Sequence, residues 1–110
     1  MIRIGPWQVW LTDFSPQLGS EQAGVRPAII VGSSLMCDVT APRLALVVPC
    51  TTRDRSLPWQ PALTLDRISY AMCEQVKSIS RERLVRRLPH QVPDAVRDEI
   101  RQTLADLLAP

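Results

Sequence analysis

The stretch Gly19-Ser20-Glu21-Gln22-Ala23-Gly24-Val25-Arg26-Pro27-Ala28-Ile29-Ile30-Val31 passes from a glycine-bracketed polar loop into a short apolar run. A run of branched apolar residues bounded by turn residues fits a strand buried on both faces. The two glycines can adopt positive φ at little cost, which lets the loop fold sharply. Pro27 disfavours helical backbone at Arg26 and holds it extended. The loop thus carries one carboxylate, Glu21, and delivers one guanidinium, Arg26, to the start of a strand.

Outward from there, residues 7–14 are rich in aromatic and branched side chains and read as a first strand. Arg43-Leu44-Ala45-Leu46-Val47-Val48 is a second buried run, and with residues 27–32 it forms the centre of a sheet. Pro49 has no N–H to give to a ladder, so it belongs at a strand end, a bulge or an unpaired position. Residues 61–66 alternate as a strand that leads into a turn at 67–69, and residues 70–79 alternate again as one strand. That strand sets Tyr70, Met72, Glu74, Val76 and Ser78 on one face and Ala71, Cys73, Gln75, Lys77 and Ile79 on the other. Residues 80–83 read as one helical turn and 84–88 as a short strand. Val92, Val96, Ile100, Leu104 and Leu107 recur at three- and four-residue spacing, the pattern of an amphipathic helix. Pro93 suits its first turn, and Asp94 there complements the helix dipole. Short strands followed by one helix predict a mainly β fold with a C-terminal helix, a compact and partly open barrel capped by that helix.

With 110 residues, 45% hydrophobic and 22% charged, the chain reads as one domain over 1–110. A net charge of +2 is too small to indicate nucleic-acid binding by itself, so local arrangement decides. Three cysteines without CxxC spacing suggest neither a disulfide framework nor a zinc site, and reduced thiols in the cytoplasm are expected. No apolar run approaches the roughly 20 residues that span a bilayer, and the first residues lack the apolar core of a signal peptide. His90, the one histidine, reads as a surface residue with no partner near in sequence, which argues against a His-based nuclease or a Ser-His triad. The acidic residues are scattered, so no metal and no cofactor are expected.

What remains is Arg26, the segment Thr51-Thr52-Arg53, and Glu74-Gln75-Val76-Lys77. Taken with Asp13-Phe14-Ser15-Pro16, Gly19 to Gly24, Arg26-Pro27-Ala28 and Val48-Pro49-Cys50-Thr51-Thr52, the sequence resembles the MazF/PemK (Kid) toxin family nearly end to end. The resemblance implies an SH3-like (CcdB/MazF-type) barrel, a homodimer, and a sequence-specific endoribonuclease that cuts single-stranded messenger RNA and arrests growth. It also implies a cognate antitoxin bound through its C-terminal segment, and it places catalysis on Arg26 and Thr51.

RNA can be cut without metal when a 2′-hydroxyl attacks the neighbouring phosphorus, leaving a 2′,3′-cyclic phosphate and a 5′-hydroxyl. Charge then builds on the non-bridging oxygens, where a guanidinium and a hydroxyl are effective donors. Arginine stays protonated and cannot serve as the base. That role falls to Glu21 or Glu74, although Glu21 can equally be an ion-pair partner that holds Arg26. One branch of the family has a catalytic acid where Glu74 stands, together with an arginine two residues earlier; Met72 occupies that place here, which favours the arginine–threonine arrangement. Ser20, Thr52, Arg53, Arg55, Glu74, Gln75 and Lys77 are the expected RNA contacts. Arg53 and Arg55 share a loop with Trp59, which either stacks a base or tucks into the barrel. Gln75 and Lys77 share a strand face, while Cys50 and Cys73 read as small core residues. Two other readings stay open: a gyrase inhibitor of the same fold and an inactive homologue that titrates antitoxin. Gyrase-inhibiting relatives end in Trp-Gly-Ile, whereas this chain ends Leu107-Leu108-Ala109-Pro110.

Overall fold

The computed structural model describes residues 3–16, 18–19 and 24–110. The branched, apolar stretches form β1 (Val9–Asp13), β2 (Val25–Ile30) and β3 (Leu44–Thr51). They pair antiparallel in sequence order, with Val9 opposite Ile29 and Ile29 opposite Val48. After β3 come β4 (Ala62–Thr64), β5 (Ile68–Ala71), β6 (Lys77–Ser80) and β7 (Leu84–Leu88). A short helix, α1 (Ser34–Cys37), links β2 to β3, and α2 (Asp94–Leu108) ends the chain. The strand order is β4-β5-β3-β2-β1-β7, with β6 also paired to β3, so the sheet curls without closing.

The central three strands are covered on both faces, as their unbroken apolar runs require. On one face Val9, Ile29, Val48 and Cys50 pack with Leu63 of β4, Leu65 just after it, Val92 just before α2 and Ile100 of α2. On the other, Trp10, Phe14, Ala28, Ile30 and Val47 enclose the barrel interior with Cys37, Ile79 and Leu84. Burying each large aliphatic side chain in these clusters contributes about 1.5–3 kcal/mol. Most of the helical spacing is used as expected: Ile100 of α2 is buried with Val96 and Leu104 packed alongside, and Val92 is buried just before the helix. None of the helices among the described residues is long and apolar enough to cross a membrane.

The prolines shape the sheet at two points. Val31 donates its N–H to Leu46 of β3, so odd-numbered residues of β2 aim their N–H groups at β3. The next such residue toward the start of β2 is Pro27, which has none, and the β2–β3 ladder stops at Ala28 opposite Pro49. Pro49 lies inside β3, not at its end. Its carbonyl accepts from Met72 N, so its nitrogen faces that same edge. There β3 changes partner from β6, with Val47 opposite Lys77, to β5, with Cys50 opposite Ala71. The missing N–H falls in the gap, the unpaired position expected of it.

Three expectations are corrected. Residues 70–79 are not one strand: β5 ends at Ala71, a 3-10 turn takes Cys73–Gln75, and β6 starts at Lys77. Alternation alone could not reveal this turn, which lets the chain step from one half of β3 to the other. Leu107, read as part of the buried face of the C-terminal helix, is 42% exposed near the helix end. Ile68 and Ser69, read as turn, already belong to β5.

Candidate functional site

Arg26 is the second residue of β2, half-buried, and paired directly with Thr12 of β1. The β2–β3 pairs 28–49, 29–48 and 30–47 share one register, so two further residues set position 26 opposite position 51. Alternation puts Arg26 on the side of Ala28 and Ile30, and Thr51 on the side of Val47, which is the barrel-interior side for both strands. Thr51 in turn pairs with Tyr70 of β5. Thr12, Arg26, Thr51 and Tyr70 therefore form a polar row across four strands, at the end of the central sheet where the β2–β3 ladder has stopped.

Thr51 ends β3 and is buried. Its Oγ1 accepts the Arg53 amide at 3.2 Å, which fixes the side chain and leaves the hydroxyl proton to donate elsewhere. Thr52, Arg53 and Arg55 follow on the exposed segment that leaves β3. This segment is laced to the residues after β3's partner strand. Arg55 Nη1 contacts Met72 Sδ at 3.3 Å, and Gln60 Nε2 donates to Glu74 Oε2 at 2.7 Å. Burial pushes the Tyr70 hydroxyl above its ordinary pKa, and the Asp54 carboxylate, which it hydrogen-bonds, pushes it the same way. Trp59 is half-buried beside Thr103, Asp106 and Leu107 of α2, which places it against the outer helix.

Glu74 is exposed in the 3-10 turn, and Gln75 is half-buried there, so Gln75 does not share a strand face with Lys77 as alternation had implied. Lys77 opens β6 on the interior-facing side, its ammonium 5.2 Å from the Phe14 ring centre. The structure thus brings Arg26 and Thr51 to one edge of the sheet, with Arg53 and Arg55 on the segment leaving it and Lys77 at the neighbouring mouth of the barrel. Ser20 and Glu21 lie outside the described residues.

Sequence reading missed Tyr70 and Gln60 because their roles follow from strand pairing and a cross-loop bond, neither of which leaves a local signal. It also missed the partner of His90, whose Nε2 lies 3.3 Å from Asp66 Oδ1; the ring is half-buried, not a free surface group. The thiols of Cys50 and Cys73 are buried core groups, both pushed up to about 12 chiefly by desolvation. No three His, Cys, Asp or Glu side chains among the described residues cluster closely enough to hold a metal ion.

Residues 6–108 match the family described as PemK-like, MazF-like toxin of type II toxin-antitoxin system. The endoribonuclease toxin MazF of Escherichia coli (strain K12) is 40% identical over 73 residues, 66% of this chain and 63% of that protein. Endoribonuclease EndoA of Bacillus subtilis (strain 168) is 26% identical over 106 residues, covering 92% of this chain and 90% of that one. The matched part thus spans less than two thirds of the E. coli relative and nearly all of the B. subtilis one. Among solved structures, MazF from Deinococcus radiodurans superposes with a TM-score of 0.85 at 22% identity, covering 98% of both chains, a likeness of fold. A MazE-MazF structure from the same organism gives a TM-score of 0.79 at 25% identity, over 98% of this chain and 97% of that one. With the family match running from the first strand through the last helix and the fold shared throughout, this chain belongs to the PemK-like, MazF-like toxins of type II toxin-antitoxin systems.

Proposed function

We propose that this chain is a metal-independent endoribonuclease that cuts single-stranded messenger RNA, and that growth arrest follows from the loss of message. The observation that carries this reading is the register that sets Arg26 opposite Thr51 on one face. A phosphodiester laid across that edge meets a forked, permanently charged donor from β2 and a hydroxyl donor from β3. As the 2′-hydroxyl attacks phosphorus, its proton leaves to a carboxylate, the non-bridging oxygens gain charge that both donors stabilise, and the P–O5′ bond breaks with the leaving 5′ oxygen taking a proton from water. The products are a 2′,3′-cyclic phosphate and a 5′-hydroxyl end. The base is Glu21 or Glu74, and the Glu74 carboxylate already accepts a hydrogen bond from Gln60. Arg53 and Arg55 supply phosphate contacts on the segment leaving Thr51.

The chain acts as a homodimer in the cytoplasm, and a cognate antitoxin inhibits it by laying an acidic, apolar C-terminal segment over the RNA site. Support comes from the named activity of the relatives and from the MazE-MazF pair among the structural neighbours. Incubating the purified protein with a mixed RNA pool and mapping new 5′ ends tests the reading. Recurrent cuts bearing 5′-hydroxyls are expected; intact RNA together with inhibited gyrase, or intact RNA alone, overturns it.

A further inference from the structure

We propose that the cleft between the end of β1 and β6 is a second phosphate subsite, holding a backbone phosphodiester of the RNA next to the one cut at Arg26 and Thr51. The proposal rests on the endoribonuclease reading above.

The cleft has a volume of about 410 Å³ and is lined, among the described residues, by Lys77, Arg83, Ser78 and Ser80, with Phe14 and Pro16 on the β1 side. A cavity of that size lies in the range of small-ligand clefts. Both cations are held in place before any ligand arrives. Arg83 Nη1 donates to the carbonyls of Asp13, at 3.2 Å, and of Ser15, which anchors the guanidinium at the rim. The Lys77 ammonium is held over the Phe14 ring. Ordering these long side chains in advance removes much of the entropy cost that a flexible pair would bear on capture.

The chemistry around the cleft selects an anion. Lysine offers a point charge, arginine a fork, and two serines offer hydroxyls, the donor set that positions phosphates without reading bases. Among the described residues, the Asp13 carboxylate at the rim already accepts the Ser15 amide at 2.9 Å. Phe14 is only 5% exposed, so its ring offers little surface to an acidic, apolar peptide. Position favours RNA as well. Phe14 N donates to Gly24 O at 2.9 Å, beside the start of β2. Two residues along β1 and one strand across put the Phe14 and Arg26 backbones roughly 8 Å apart. A strand crossing Arg26 therefore continues into the cleft.

The test uses an RNA that the protein cuts, made uncleavable by 2′-O-methylation of the attacking ribose, with affinity measured across a salt series. Arg83→Gln should weaken binding about tenfold at low salt, and the slope of log affinity against log salt should fall by roughly 0.7, one phosphate contact of a single strand. Ser78→Glu, at an exposed strand position, carries the test should Arg83→Gln not fold, and it too should weaken RNA. Unchanged RNA affinity and slope in folded variants overturns the subsite. So does a variant that holds RNA as the wild type does but releases a short poly-glutamate peptide, which would make the cleft a peptide site. If the wild-type protein cuts no RNA, the endoribonuclease reading fails first and the subsite with it.

Discussion

The register of β2 and β3, carried two positions beyond the last ladder pair, Ala28 and Pro49, sets Arg26 opposite Thr51. Between them and that pair lies Pro27, which cannot donate across to β3. The sheet thus loses its own pairing where it presents a guanidinium and a hydroxyl, and both groups stay tied to rigid strands on their far sides, at Thr12 and Tyr70.

Thr51 should matter through its hydroxyl. Its Oγ1 already accepts the Arg53 amide, so the proton is what it has to offer a phosphate. Thr51→Ala is expected to slow cleavage about 10- to 100-fold, or about 1.4–2.7 kcal/mol of barrier, while Thr51→Ser retains most of the rate. Single-turnover rates for the two variants check this; equal losses would show that the methyl, not the hydroxyl, is what counts.

Chelation should leave the reaction intact. The donors assigned to the phosphate are side chains, and no metal-holding cluster of three such residues occurs among the described residues. Cleavage in excess EDTA is expected to match the untreated rate, with 5′-hydroxyl ends accepting phosphate from a polynucleotide kinase. Activity abolished by EDTA and restored by Mg²⁺ or Mn²⁺ contradicts the mechanism.

Arg81 should matter to stability and not to chemistry. It is 2% exposed, and its guanidinium donates to the carbonyls of Leu44, Cys37 and Val39 at 2.9, 2.8 and 2.9 Å. Arg81→Met fills similar space but leaves those carbonyls without donors, a loss of about 3 kcal/mol. The melting temperature should drop on the order of 10 °C or more. A shift within a degree or two would mean that water replaces the guanidinium at no cost.

The thiols of Cys50 and Cys73 set an alkaline limit. With both at about 12 in the folded chain and near 8.5 when unfolded, the folded state retains protons that the unfolded state releases. Their contribution is fully present below about pH 8.5 and is lost as pH rises toward 12. Melting temperature should fall through that window, and less steeply in Cys50→Ala/Cys73→Ala. The same burial predicts that native protein resists thiol alkylation at pH 8; rapid modification of Cys50 in folded protein would contradict it.

Much of this architecture was legible in the sequence because it rests on local signals. The apolar runs at β2 and β3 and the three- and four-residue spacing of α2 each declare a buried face. Arg26, Pro27 and Thr51 stood out by residue type and order. What escaped depends on distant partners. The break at Cys73–Gln75 exists because β3 changes neighbours at Pro49, and alternation in residues 70–79 carries no trace of that exchange. Gln60 carries no local sign of the Glu74 carboxylate across from it, and Arg81, in a stretch that reads as one helical turn, carries none of the α1 and β3 carbonyls that face it. Arg26, expected where the loop meets a strand, is itself paired within the strand, opposite Thr12, which gives it a fixed aim.

Arg26 carries the central claim, so its removal is the most direct test. Single-turnover cleavage should be measured for wild type, Arg26→Ala and Arg26→Lys, with melting temperatures alongside. The account predicts a loss of 100-fold or more for Arg26→Ala, about 3 kcal/mol of barrier, and partial recovery in Arg26→Lys, which keeps the charge but loses the fork. Melting temperatures should shift by far less than in Arg81→Met, because Arg26 is half-buried at a strand's edge. Cleavage by Arg26→Ala at close to the wild-type rate, or inactivity explained by unfolding alone, would contradict the catalytic assignment.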